Sequence, residues 1–162
     1  MTVYLEDILK AKTESSAPHS ANDALLDHKH DGLVRYQVHP TEPLEIWNYT
    51  PATAYEGKWD EVTLLCRGLI LNSETDEVVA RPFPKFFNLG TTPETMAEVL
   101  DWASPFRVYE KYDGWLAVLY RQEGKFKIST RGSFHSLGAV AATKWIQTKD
   151  LSFLPDEVTL CF

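Results

Sequence analysis

The run Tyr109–Tyr120, "YEKYDGWLAVLY", reads as buried strand except for Lys111 and Asp113, which stand two residues apart beside Gly114. Charged groups are costly to bury unless something pairs with them or uses them. Residues two apart on an extended segment share a face, which predicts Lys111 and Asp113 together, with Glu110 and Tyr112 opposite. Gly114 permits a turn or a close backbone approach to a ligand. A lysine amine becomes a nucleophile when desolvation or neighbouring cations favour its neutral form. An aspartate alone favours the charged form, so that chemistry requires other cations or bound metal nearby. The four residues leave two readings open: a nucleophilic lysine, or a Lys–Asp pair on a solvated strand edge.

A second cluster, Asp27-His28-Lys29-His30-Asp31, has two histidines two apart. No third ligand cluster accompanies them, and the stretch reads as a polar surface loop rather than a metal site. Cys66 and Cys161 are far apart and lack metal-type spacing. They suit a reduced, cytoplasmic protein better than a disulfide.

A chain of 162 residues has room for one globular domain with a real core, and its 44% hydrophobic and 12% aromatic content fits a folded protein. A net charge of −7 argues against a generally basic nucleic-acid coat, although it leaves room for a local basic groove. No apolar run is long enough to cross a bilayer, and Met1–Ala11 is too charged for a secretory signal, so no membrane partner is expected.

The elements that must position these groups follow from patterning. Val3–Lys12 has helical spacing, and Thr13–Asn22, with Pro18, reads as a loop. Strands are expected at "LVRYQVH" and "LEIWNYT", followed by a hairpin that pairs Val62–Leu71 with Val78–Phe83 across "NSETDE". "TTPETMAEVLDWA" predicts a helix, with a threonine cap, Pro93 in the first turn and an apolar face of Met96, Val99, Leu100 and Ala103. Strands "FRVYEKYD" and "WLAVLYRQ" come next, with "EGK" turning into "FKISTRG". A helix at "HSLGAVAATKWIQ" and a strand at "EVTLCF" complete the series. Mixed elements without strict βαβ alternation point to α+β.

Four segments occur in order: "CRGLIL" (Cys66–Leu71), "ARPFPKFFNLG" (Ala80–Gly90), "EKYDGWLAVLY" and "STRGSF" (Ser129–Phe134). Together they resemble the covalent nucleotidyltransferases, specifically the ATP-dependent RNA ligases of the T-even bacteriophage type. That family carries an arginine-glycine strand, a "KFFN" element, a K-x-D-G motif and a downstream basic-Gly-Ser turn. The likeness covers Val62–Phe134; the first sixty residues match only in general character.

The resemblance implies a nucleotidyltransferase, ATP-grasp-like domain of mainly antiparallel sheets with flanking helices. It implies that Lys111 attacks the α-phosphate of ATP and holds AMP, which passes to an RNA 5′-phosphate before a 3′-hydroxyl seals the strand. Arg67, Lys85 and Arg131 become candidate phosphate clamps, because charge in phosphoryl transfer is met by positioned cations and metal. Phe87 would lie under the nucleotide, Glu110 at the adenine, and Asp113, beside Gly114, at the ribose or metal-bound water. Mg2+ is implied with the polyphosphate, and RNA ends, tRNA among them, are the implied partners. Read singly, Arg67 is an outward strand residue, Lys85 a surface lysine and Phe86-Phe87 core. Arg131 stands where the family usually has lysine, and "KFK" at Lys125–Lys127 comes too soon after Lys111 for the family's late K-x-K motif.

The family continues with a phenylalanine-glutamate pair, a glutamate-glycine motif and paired lysines. This sequence reaches "TLCF" where that first glutamate is due. The expectation is therefore one C-terminally truncated adenylyltransferase domain over 1–162, with an incomplete nucleotide pocket. Three functional readings follow. The chain is an RNA ligase fragment, a catalytically deficient nucleotide- or RNA-end-binding module, or half of a split ligase with a complementing polypeptide. An unrelated α+β domain stands as the remaining alternative.

Overall fold

The computed structural model describes residues 21–111, 113–155 and 158–162. The helix expected at Val3–Lys12 and most of the Thr13–Asn22 loop lie outside the described residues. The architecture is mixed α+β with two antiparallel sheets and few helices.

Helix α1 (Ala21–His30) precedes a four-stranded meander, β1 (Val34–Val38), β2 (Leu44–Tyr49), β3 (Arg67–Asn72) and β4 (Val78–Ala80), in that spatial order. Patterning alone does not predict α1: the "DHKHD" stretch, expected as a loop, begins within its last turn, and residues 21 and 22 already belong to it. Ala24 and Leu25 bury on the sheet, which is enough to hold a ten-residue helix of modest propensity. Gly32, at φ +72, ends it while the Leu33 amide donates back to the His28 carbonyl at 2.8 Å.

Short helices α2 (Pro51–Glu56) and α3 (Glu61–Leu65) fill the β2–β3 connection. The expected strand Val62–Leu71 therefore starts only at Arg67. Asp60 and Thr63 form a reciprocal capping box, with the Thr63 amide donating to Asp60 Oδ1 and the Asp60 amide donating to Thr63 Oγ1, both at 2.8 Å. That local pair turns β-prone residues into a helical turn while Val62 and Leu65 still reach the core. The other arm of the expected hairpin holds, with Ile70 opposite Ala80 and Leu71 opposite Val78.

The cap has a testable pH signature. Burial alone would raise the Asp60 carboxyl, but the Thr63 amide and His28, whose Nε2 lies 2.9 Å from Oδ2, outweigh it and hold the group below its ordinary 3.8. A depressed carboxylate contributes stability above its unfolded pKa, and that contribution is lost as pH falls through the folded value. Asp60→Ala should cost about 1 kcal/mol at pH 7 in denaturant titration, and the difference should fade below about pH 4. A difference that did not change with pH would contradict this account.

Strands β5 (Ala117–Gln122) and β6 (Lys125–Thr130) form the second sheet as a hairpin closed by Glu123-Gly124, both at positive φ, as "EGK" predicts. Of the expected final strand, the described residues form only an isolated antiparallel bridge, Cys161 opposite Val118; the Leu119 amide donates to the Leu160 carbonyl, and Ala117 and Phe162 exchange both backbone bonds. Helix α4 (Leu137–Ile146) is capped by Ser136, whose hydroxyl accepts the Ala139 amide at 3.2 Å. Both faces of the meander are buried. Trp47, Leu69 and Leu71 pack with α1 and α3, whereas Ile46, Ile70 and Ala80 pack with Val118, Tyr120 and Phe134.

Two expected elements do not form. The helix at 91–103 reduces to a 3-10 turn, Pro93–Thr95, because Thr95 Oγ1 accepts the Thr91 and Thr92 amides and Met96 is extended. The intended apolar face, Met96, Val99 and Leu100, is exposed and has no surface that would stabilise it. Among the described residues of the strand expected at 106–113, none is in a strand. Residues 105–111 take no regular structure, and Val108 is 85% exposed; among the described residues no strand is paired with them. Among the described residues, no helix is long and apolar enough to cross a membrane, and both cysteines are free thiols.

Candidate functional site

Where the meander meets the turn after β6, three cations are set among aromatic rings. Arg67 opens β3, opposite Asn48 of β2. Its Nη1 donates to the Phe83 carbonyl at 3.4 Å, and its guanidinium lies 5.0 Å from the Phe86 ring centre. The irregular stretch after β4 carries Lys85 back to α3, where its amide donates to the Leu64 carbonyl at 2.7 Å. The Lys85 ammonium sits 4.0 Å from the centre of Phe87 and 5.6 Å from that of Trp59, and also donates to the Phe86 carbonyl. Trp59 meets Phe87 edge-on at 5.4 Å and Tyr49 at 5.0 Å. Arg131 completes the series from the far side: Nη1 donates to the Tyr49 hydroxyl at 2.9 Å, with the guanidinium 5.1 Å from that ring.

Aromatic faces attract cations, and half-buried rings hold them at fixed positions. The arrangement keeps like charges close all the same. Burial, and then the Arg67 charge, push the Lys85 ammonium below its ordinary value. Such a group gains most from an arriving anion, and flat rings beside it can take a heterocycle. The cluster is thus chemically matched to a phosphorylated, aromatic-bearing ligand.

The structure brings together Arg67, Lys85, Phe87 and Arg131, which lie up to 64 positions apart in sequence. It sets Glu110, Lys111 and Asp113 on the exposed irregular segment instead. The premise that Lys111 and Asp113 share a strand face is corrected, since that strand is not formed. Asp113 Oδ1 accepts the Gly114 amide at 3.0 Å, and Gly114 sits at φ +150, a backbone that side chains rarely adopt. Neither Phe86 nor Phe87 is core, the expectation for such a pair read singly; Phe86 is exposed and Phe87 half-buried. Among the described residues, no group of three His, Cys, Asp or Glu side chains could hold a metal ion. His28 of the "DHKHD" stretch instead donates through Nδ1 to the Ala24 carbonyl at 2.6 Å.

Sequence reasoning missed Trp59, Tyr49 and Asn48. Their only signal was aromatic residues flanking polar loop positions, "NYT" and "KWD", which do not by themselves suggest a site.

A family model described as RNA ligase matches residues 65–155, more than half of the chain. The chain is 40% identical over 107 residues to a protein of Autographa californica nuclear polyhedrosis virus provisionally named bifunctional polynucleotide kinase/RNA ligase, covering 62% of this chain and 15% of that protein. It is 36% identical over 73 residues to RNA ligase 1 of bacteriophage TS2126, covering 43% of this chain and 18% of that one. With an RNA ligase of Rhodothermus phage RM378 it shares 35% identity over 113 residues, covering 56% and 25%. The chain therefore spans between 15% and 25% of the length of these relatives.

Proposed function

The chain belongs to the RNA ligase family of the T-even bacteriophage type, and from that premise we propose that it is an adenylyltransferase unit that accepts AMP from ATP for joining RNA ends. The amine of Lys111 attacks the α-phosphorus, a P–N bond forms, the bond to the pyrophosphate oxygen breaks, and the amine proton passes to solvent. AMP then moves to an RNA 5′-phosphate, and a 3′-hydroxyl displaces it to close the strand. Arg67, Lys85 and Arg131 neutralise the phosphates, Phe87 lies against the nucleotide, and Glu110, Asp113 and Gly114 shape the adenine and ribose side. Mg2+ accompanies the polyphosphate in this reading, with Asp113 the candidate to meet its bound water.

One observation carries the proposal: three cations are set on aromatic faces at one end of the β2–β3 pair, and burial, then the Arg67 charge, lower the Lys85 ammonium from its ordinary value. A second reading, half of a split ligase, is favoured by the exposed apolar side chains Val99, Trp102, Phe106, Val108 and Trp115 around the Lys111 segment. A complementing polypeptide would bury them.

Incubation with α-phosphate-labelled ATP and magnesium, followed by a denaturing gel, tests the proposal. An acid-labile label on the chain is expected. Label that appears only after a polypeptide carrying the family's later motifs is added would assign the split enzyme. Absence of label in both arms, with ATP still bound, would leave a nucleotide-binding module and overturn the transfer chemistry.

A further inference from the structure

We propose that Asn48 and Gly68 are positioning residues that hold the Arg131 turn against the β2–β3 pair and thereby set the third cation of the cluster. The inference rests on the nucleotide reading only for what Arg131 binds; the positioning itself is geometric.

Asn48 occupies an interior position of β2 at which a hydrophobic residue would ordinarily sit: it is buried, between Trp47 and Tyr49. The β2–β3 register shifts between Trp47 and Asn48, which brings Asn48 opposite Arg67. From there its Nδ2 donates to the Arg131 carbonyl at 2.8 Å, across 83 residues of sequence. Its Oδ1 is buried and has no hydrogen-bond partner among the described residues. A buried amide with half its capacity unused is a poor strand residue, so the bond to Arg131 is the structural return on placing it there.

Gly68 supplies the space. It lies at φ +89, and a Cβ there would stand 3.2 Å from the Arg131 oxygen and 3.4 Å from its Cα. Both are backbone atoms that cannot swing aside as a side chain can. The turn is closed on itself as well, since the Thr130 amide and hydroxyl both donate to the Ser133 carbonyl, at 3.0 and 3.2 Å. The main chain of Arg131 is thus held by Asn48, while the next residue, Tyr49, receives its guanidinium at 2.9 Å. Consecutive residues of one strand grip one arginine at both ends, and its position beside Arg67 is set by them rather than by its own loop.

Asn48→Leu keeps the size and removes the donor; Gly68→Ala inserts the Cβ and forbids the backbone angle. Each is made in the full chain and checked for folding by circular dichroism. Hydrogen–deuterium exchange should quicken about tenfold or more at Arg131–Ser133 in either folded variant, with the β5–β6 ladder unchanged. Wild-type exchange at that turn in both variants overturns the proposal. ATP affinity supplies a second readout. Asn48→Leu should weaken it about as much as Arg131→Ala, roughly tenfold, and the double variant should be no weaker than Arg131→Ala alone. Losses that multiply in the double variant would also overturn it. If the unmodified chain bound no ATP, the nucleotide reading would fall, and the exchange result would still decide the positioning role.

Discussion

Lys111→Ala is expected to abolish transfer of labelled AMP to the chain, with label falling by at least about 1,000-fold. The reason is covalent: without the amine no P–N bond can form, and neighbouring groups cannot supply one of equal placement. Lys111→Arg should be as inactive, because a guanidinium stays protonated and is a poor nucleophile. Arg67→Ala and Lys85→Ala differ in kind, since each removes a charge from the phosphates and leaves the nucleophile in place. They should slow labelling in part and respond to higher ATP concentration. If Lys111→Ala kept more than a few per cent of the label, the modified residue would be another side chain, and the proposed chemistry would have to move from the Lys111 segment. Lys111 is exposed on an irregular stretch, so the substitution should leave the denaturation midpoint unchanged. Loss of label can then be separated from loss of fold.

Trp47→Ala carries the largest expected effect on stability, a loss of about 3–5 kcal/mol. Trp47 is fully buried on β2, packs at 4.6 Å from Tyr36, and lies in the cluster formed with Leu25, Cys66, Leu69 and Leu71. Its indole N–H donates to Glu45 Oε2 at 3.1 Å, so truncation leaves both a cavity and a half-buried carboxyl without that donor. Burial already pushes the Glu45 carboxyl up, against the indole bond that lowers it. Domains of this kind have roughly 5–15 kcal/mol in total, so the variant sits near the edge of folding. Urea denaturation followed by far-ultraviolet circular dichroism would measure it. Tyr55→Ala, at a fully exposed position on α2, should stay within about 0.5 kcal/mol and serves as the control. A loss below about 1 kcal/mol at Trp47 would mean that this face of the sheet does not carry the core. Because Asn48 and Tyr49 follow on the same strand, the variant should also lose the Arg131 contacts.

The places where patterning succeeded share a property. β1, β2, the β5–β6 hairpin and α4 each follow from signals within a few residues: runs of strand-forming residues, the "EGK" turn, and the helical run "HSLGAVAATKWIQ". Where it failed, a second local signal or a missing neighbour decided the outcome. At 61–65 the Asp60–Thr63 box overrode β propensity. At 91–103 a well-formed helical pattern had no surface to cover, and Thr95 turned its hydroxyl to the preceding amides. At 106–111 a strand-like run has no strand paired with it among the described residues. Helix α1 went unread because its apolar stripe is only Ala24 and Leu25 among charged residues, and tertiary burial stabilises it.

By itself the sequence determined the ordered set of chemical groups, Arg67, Lys85, Lys111 and Arg131 with the glycines beside them, and hence the family. Residue type and spacing are properties of the chain alone. Only the tertiary structure decided which of those groups meet. Asn48 and Arg131 are 83 residues apart, yet one hydrogen bond and the missing Cβ of Gly68 bring Arg131 into a cluster with Arg67, Lys85 and Phe87. No local periodicity encodes a contact of that separation, because it depends on two sheets packing through Ile46, Ile70, Val118 and Phe134. For the same reason Trp59 could be read from sequence only as a loop aromatic. In the fold it is the ring that Lys85, Phe87 and Tyr49 share.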